Sequence, residues 1–179
     1  MWRFVIVVAA GVLLTACLDA ERKGYISEID GMTEKLDSLE NLYYAMPLDS
    51  FTVVREIAQN NEHSVKQFYD NDTIDAEFAR AMNRYKAIRK GSGFITQKRN
   101  FLDTVFAFQK TQLGKLRTDI LNGSGKRDKY EAFINSEREN VALITTSFVD
   151  FESRFEHLLE EFYETNPKVE EMIENLKED

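Results

Sequence analysis

Val141-Ala142-Leu143-Ile144-Thr145-Thr146-Ser147-Phe148-Val149-Asp150-Phe151-Glu152-Ser153-Arg154-Phe155-Glu156-His157-Leu158 is the stretch that decides the fold class. Val141, Ile144, Phe148, Phe151, Phe155 and Leu158 recur at alternating steps of three and four. Those steps place all six on one stripe of an α-helix, whereas a half-buried strand alternates every second residue. Outward from this stretch the same seam takes in Tyr130, Ile134 and Phe162, with Glu137 as its polar member. A long helix is predicted over about 126–165. Asn166-Pro167 is expected to end it and to open a short terminal helix carrying Val169, Met172, Ile173 and Leu176, because proline suits the first helical position.

Upstream, Asn122-Gly123-Ser124-Gly125 reads as a loop. Before it, Ile74, Phe78, Ala81, Tyr85 and Ile88 keep helical spacing, and beyond Gly91-Ser92-Gly93 the phase continues through Ile95, Leu102, Phe106, Leu113, Leu116 and Ile120. A continuous, locally weakened helix over 73–122 and a hairpin turn at the glycines both fit this pattern. Phe94, Phe101, Val105 and Phe108 widen the apolar face, which marks a central helix. The first helix is predicted over 25–46, on Ile29, Met32, Leu36, Leu39, Tyr43 and Met46. Pro47 disfavours helix in the residue before it. The next stripe is Phe51, Val54, Ala58, Val65 and Phe68, with Asp49 or Ser50 as cap. It is out of phase with Met46, so Pro47 marks a turn or sharp kink. Asp70-Asn71-Asp72-Thr73 is a further break. No strand signal of useful length and no internal repeat is present. Segments 25–70, 73–122 and 126–178 are nearly equal. The expected fold is therefore all-α: an elongated antiparallel helical bundle with coiled-coil character, built of three long, kinked arms or of four to five helices.

The chain begins with Met1-Trp2-Arg3, an apolar run from Phe4 to Leu14, and then Leu14-Thr15-Ala16-Cys17. A basic tip, a short apolar core and small residues before a cut make a secretory signal. With a cysteine directly after the cut, residues 1–17 resemble the lipobox of bacterial lipoproteins. The resemblance implies cleavage before Cys17, a diacylglyceryl thioether on its sulfur and acylation of its new amino group. Residues 1–16 are then signal peptide, 17–24 a lipidated tether whose seven residues 18–24 span at most about 25 Å, and 25–179 the bundle. Residues 4–18 are too few for the roughly 20 apolar residues of a membrane span, while two or more acyl chains anchor stably. The expected location is the cell envelope. Leu18, where an aspartate would signal inner-membrane retention in enteric bacteria, points to the outer membrane where a cell has two. Cys17 is the sole cysteine, so no disulfide forms within the chain.

Composition is that of a globular helical chain, with 43% hydrophobic and 30% charged residues and two prolines. The net charge of −8 conceals blocks: residues 17–79 carry 14 acids and 5 bases, residues 80–129 carry 13 bases and 3 acids, and residues 150–179 carry 11 acids and 3 bases. Arg80, Arg84, Lys86, Arg89, Lys90, Lys98 and Arg99 form a basic cluster with no acid among them. One reading is an anion-binding patch for lipid headgroups, an anionic glycan or an acidic envelope protein. The other is charge pairing with acidic neighbouring helices, at tenths of a kcal/mol per exposed pair. No nucleic-acid motif is present.

The acidic run Glu152, Glu156, Glu160, Glu161, Glu164, Glu170, Glu171 and Glu174 lacks an EF-hand loop and reads as a solvated face or one opposing the basic helix. His63 and His157 stand far apart, and neither belongs to a Glu-x-x-His pair. No metal, haem or other cofactor is expected, and neither a phosphate loop nor a nucleophile–base constellation is visible. Asp37-Ser38-Leu39, Asp72-Thr73-Ile74 and Asp103-Thr104-Val105 resemble the acceptor of periplasmic O-glycosylation. Thr73, in a predicted loop, is the accessible candidate, with helix capping as its alternative role. Phe148, Phe151, Phe155 and Phe162 are expected in the core rather than in a lipid groove. The expected function is that of a lipid-anchored envelope interaction or structural module without catalytic activity. The alternative is a binding protein for an anionic glycan or a lipid ligand.

Overall fold

The seam that starts at Tyr130 is realised as one uninterrupted helix in the computed structural model, which describes residues 2–69 and 76–178, with side chains from Ala20 onward. The helices are α1 (Trp2–Ala45), α2 (Ser50–Phe68), α3 (Ala76–Asn122) and α4 (Tyr130–Glu178), with a short 3-10 turn, Arg127–Lys129, leading into α4. The described residues contain no strand, and the chain forms an all-α helical bundle. Among the described residues, no helix is long and apolar enough to cross a membrane. The helices divide between two compact units.

The first unit joins α1 up to Glu40 with Thr104–Thr146. Its core is a layer of Ile29, Met32 and Leu36 from α1, Phe106, Leu113 and Ile120 from α3, and Ile134, Val141 and Ile144 from α4. Arg117 bonds Asp30 at 2.7 Å and Lys110 bonds Asp37 at 3.0 Å, so α3 runs antiparallel to α1. α3 ends in a Schellman motif: Gly123 N–H donates to Ile120 C=O at 3.1 Å and Ser124 N–H to Asp119 C=O at 2.8 Å. Gly123 and Gly125 have φ of 61° and 79°, the left-handed region that favours glycine. The predicted loop thus has a mechanism. Residues 20–24, read from sequence as tether, belong to α1, where Tyr25 donates to Glu21 one turn back at 2.8 Å.

The second unit joins Asn41–Asp103 with Ser147–Asp179. Its core is aromatic. Phe51 and Phe151 each lie against Phe155, with ring centroids 6.2 and 5.7 Å away, and Tyr85 stacks on Phe162 at 6.2 Å. Tyr43 meets Phe151, Phe51 meets Phe155 and Asn61 bonds Asn166 at 3.2 Å. The end of α1 and all of α2 therefore advance along α4 in the same direction, and Pro47 bends the arm without reversing it. Asp49 occupies the cap position of α2, one of the two residues expected there, although its side chain makes no cap bond. It lies instead 3.9 Å from Arg99.

Gly91-Ser92-Gly93 is neither a turn nor a break, since α3 is continuous through it. Ser92 is buried on the seam between Ile88 and Ile95, and its hydroxyl donates to Arg89 C=O at 2.6 Å. Asn166-Pro167 does not end the last helix, because Pro167 lies inside α4. Phe162, Thr165, Val169 and Ile173 are all buried at steps of three and four across it. Burial of that stripe outweighs the roughly 3 kcal/mol that an interior proline costs.

Candidate anion-binding face

The basic cluster lies on α3 within the second unit, and the neighbouring helices sort its members. Arg89 is held by Glu62 of α2 at 3.1 Å. Lys98 lies 3.9 Å from Asp150 of α4 and 5.7 Å from the centre of the Phe94 ring on its own helix. Arg99 bonds Leu48 C=O at 3.3 Å and approaches Asp49 and Asp103 at 3.9 Å. Arg84 reaches half-buried Glu161 and exposed Glu164 of α4, both at 3.9 Å, a separation of weak attraction. Part of the acidic run thus opposes the basic helix. Arg80, Lys86 and Lys90 are exposed and make no ion pair among the described residues.

The cluster therefore divides into four cations that stitch α3 to its neighbours and three that face solvent. Lys86 and Arg89, with Lys66 from the last turn of α2, line a shallow hollow of about 360 Å³ floored by Val65 and Met82. Glu62 is its one carboxylate, already engaged by Arg89. Lys66 was not singled out from the sequence. Its signal is its position four residues after Glu62, which puts both on one face of α2. Three cations around one engaged acid can hold an anionic group by charge.

Cys17 and Thr73 lie outside the residues whose side chains are described. The other two acceptor-like triplets fall inside continuous helices. Their aspartates are used structurally: Asp37 by Lys110, and Asp103 by the Tyr43 hydroxyl at 2.6 Å. His63 and His157 are exposed, and no group of three potential metal ligands is gathered among the described residues. Phe148, Phe151, Phe155 and Phe162 are all buried.

Other polar contacts join the helices of each unit. The Asp30 carboxyl is held below the usual carboxylate range by hydrogen bonding to Arg117. The Lys110 ammonium is raised by its bonds to Glu40 and Asp37. Burial pushes the Tyr85 hydroxyl up to about 12. Comparison with known proteins yields no match among family models, curated proteins or solved structures.

Proposed function

We propose that this chain is a lipid-anchored interaction module of the bacterial envelope, which acts by binding and not by catalysis. The anchor rests on Leu14-Thr15-Ala16-Cys17 after the apolar run. The binding role is carried by one observation: Arg80, Lys86 and Lys90 stand exposed and without ion partners among the described residues, on a helix stretch free of acids. Charged groups left unpaired on one face favour an acidic partner and speed its approach. The partner class is an acidic envelope protein, and an anionic glycan is the alternative.

The test has two arms in the native cell. Cys17→Ser should leave the precursor unprocessed or release the protein from membranes, read by fractionation and intact mass. Unchanged mass and fractionation would remove the anchor from the reading. In the wild-type background, crosslinking should capture a protein partner, and Arg80, Lys86 and Lys90 replaced together by Gln should lose it. Capture that survives this triple replacement would place the partner elsewhere on the bundle.

A further inference from the structure

A second hollow lies between α3 and α4 in the second unit, around Gly91. It has a volume of about 330 Å³ and is lined by Ala87, Ile88, Phe94, Ile95 and Leu158, with His157 as a polar member between its charged ends. That size is at the lower end of small-ligand sites, about 300–1,000 Å³. Gly91 borders it, and a Cβ there would lie 3.0 Å from Leu158 Cδ1. The floor is apolar, but the two ends are charged and differ in sign. At the Phe94 end, the Arg154 guanidinium lies 4.3 Å from the ring centre and Lys98 5.7 Å from it. These two cations share one carboxylate, Asp150, at 2.8 and 3.9 Å. At the opposite end, Arg84 stands between two carboxylates, Glu161 and Glu164, each 3.9 Å away. The hollow is thus an apolar trough with surplus positive charge at one end and surplus negative charge at the other.

We propose that this trough binds a single-chain anionic amphiphile of the medium-chain fatty acid class. Its carboxylate lies at the Arg154 and Lys98 end, and its chain runs over Ile95, Leu158, Gly91 and Ile88. Charge complementarity fixes the orientation: reversed, the carboxylate would meet Glu161 and Glu164. The apolar floor favours a hydrocarbon chain over a glycan, whose hydroxyls would lie unpaired where they meet Ile88, Ile95 and Leu158. This inference goes beyond the proposed function and does not depend on the face formed by Arg80, Lys86 and Lys90.

The test uses the full chain in nanodiscs with a decanoic acid carrying a chain diazirine. Irradiation should label residues 84–95 and 154–161. Arg154→Gln combined with Lys98→Gln should reduce labelling by about tenfold or more, the loss of a charge-assisted bond. A decanol probe with the same diazirine should label the wild type correspondingly less. Ala87→Trp fills the trough from an exposed position and leaves both cations in place, so it keeps the proposal testable if the double variant melts early. It should abolish labelling with the melting curve retained. The triple replacement of Arg80, Lys86 and Lys90 should label like wild type, which separates this site from the partner face. Labelling spread over other segments, or undiminished in a folded Ala87→Trp variant, would overturn the site. Equal labelling by decanol would overturn the role assigned to the cations.

Discussion

Tyr85 is fully buried, yet its hydroxyl donates to Asn166 Oδ1 and accepts from Asn61 Nδ2 at 3.1 Å. Asn61 occupies a seam position between Ala58 and Val65 that an aliphatic residue would otherwise fill. Its amide is satisfied only because Tyr85 and Asn166 meet it there. Tyr85→Phe keeps the ring and its stacking on Phe162 but removes one partner from each amide, leaving Asn61 and Asn166 bonded only to each other. It should cost about 0.5–1.5 kcal/mol, read from urea unfolding with an unchanged slope. Tyr43 and Tyr85 also set the alkaline limit. Burial raises both hydroxyls, Tyr85 to about 12, and Tyr43 additionally donates to Asp103. An acid whose folded pKa lies above its unfolded value of about 10 holds its proton more tightly in the native state. That contribution is intact below about pH 10 and is lost as pH rises through the folded pKa. Lys110, raised by Glu40 and Asp37, acts in the same direction. The urea midpoint should therefore fall from about pH 10 upward, and Tyr85→Phe should remove part of that fall. A midpoint independent of pH in that range, with phenolate absorbance showing ordinary titration, would contradict the buried hydroxyls.

At the level of elements, the glycines of α3 separate close packing from chance composition. A Cβ on Gly93 meets nothing within 4 Å, so Gly93→Ala should stabilise the helix by about 0.5–1 kcal/mol. The same change at Gly91 brings Cβ to 3.0 Å from the flexible end of Leu158, so its gain should be smaller or reversed. Melting temperatures of the two variants, measured side by side, test this ordering, and equal gains would mean that Leu158 yields freely. This pair also shows what could be read from sequence. Steps of three and four run through Ile88 and Ile95, so continuity of α3 was present in the pattern, while the glycines alone argued for a break. Pro167 misled for the same reason: a strong local signal hid the in-phase stripe of Phe162, Val169 and Ile173. The division of the basic cluster was not legible. Whether Arg89 finds Glu62, 27 residues away, depends on the register of α2 against α3, which spacing within one helix does not determine. Polar residues on a seam, such as Asn61 and Gln109, are likewise explained only by the partner each meets.

For the molecule as a whole, the alternation of acidic, basic and acidic blocks along the chain now has a structural account. α3 carries the basic block, and in each unit its cations meet carboxylates of neighbouring helices: Asp30 and Asp37 from α1, Glu62 from α2, and Asp150 and Glu161 from α4. Each exposed pair contributes only about 0.2–1 kcal/mol, so the pattern favours one arrangement of helices more than it stabilises the bundle. The two halves of the basic cluster should then behave in opposite ways. Replacing Arg84, Arg89, Lys98 and Arg99 by Gln removes four cations that have partners, so stability should fall by about 1–2 kcal/mol at low salt. Added salt should shrink that difference, because screening already weakens the pairs in the parent protein. Replacing Arg80, Lys86 and Lys90 removes three like charges from an exposed face. Stability should stay constant or rise, and rise most at low salt, where their mutual repulsion is least screened. Partner capture should respond in the reverse sense: reduced more by the exposed trio, chiefly through slower association, than by the stitched quartet, of which only Arg89 lines the hollow beside Lys86. Unfolding at two salt concentrations and capture on the same two variants give four readings. If the trio destabilises the bundle as much as the quartet and leaves capture intact, the exposed face has no binding role and all seven cations serve only to hold helices together.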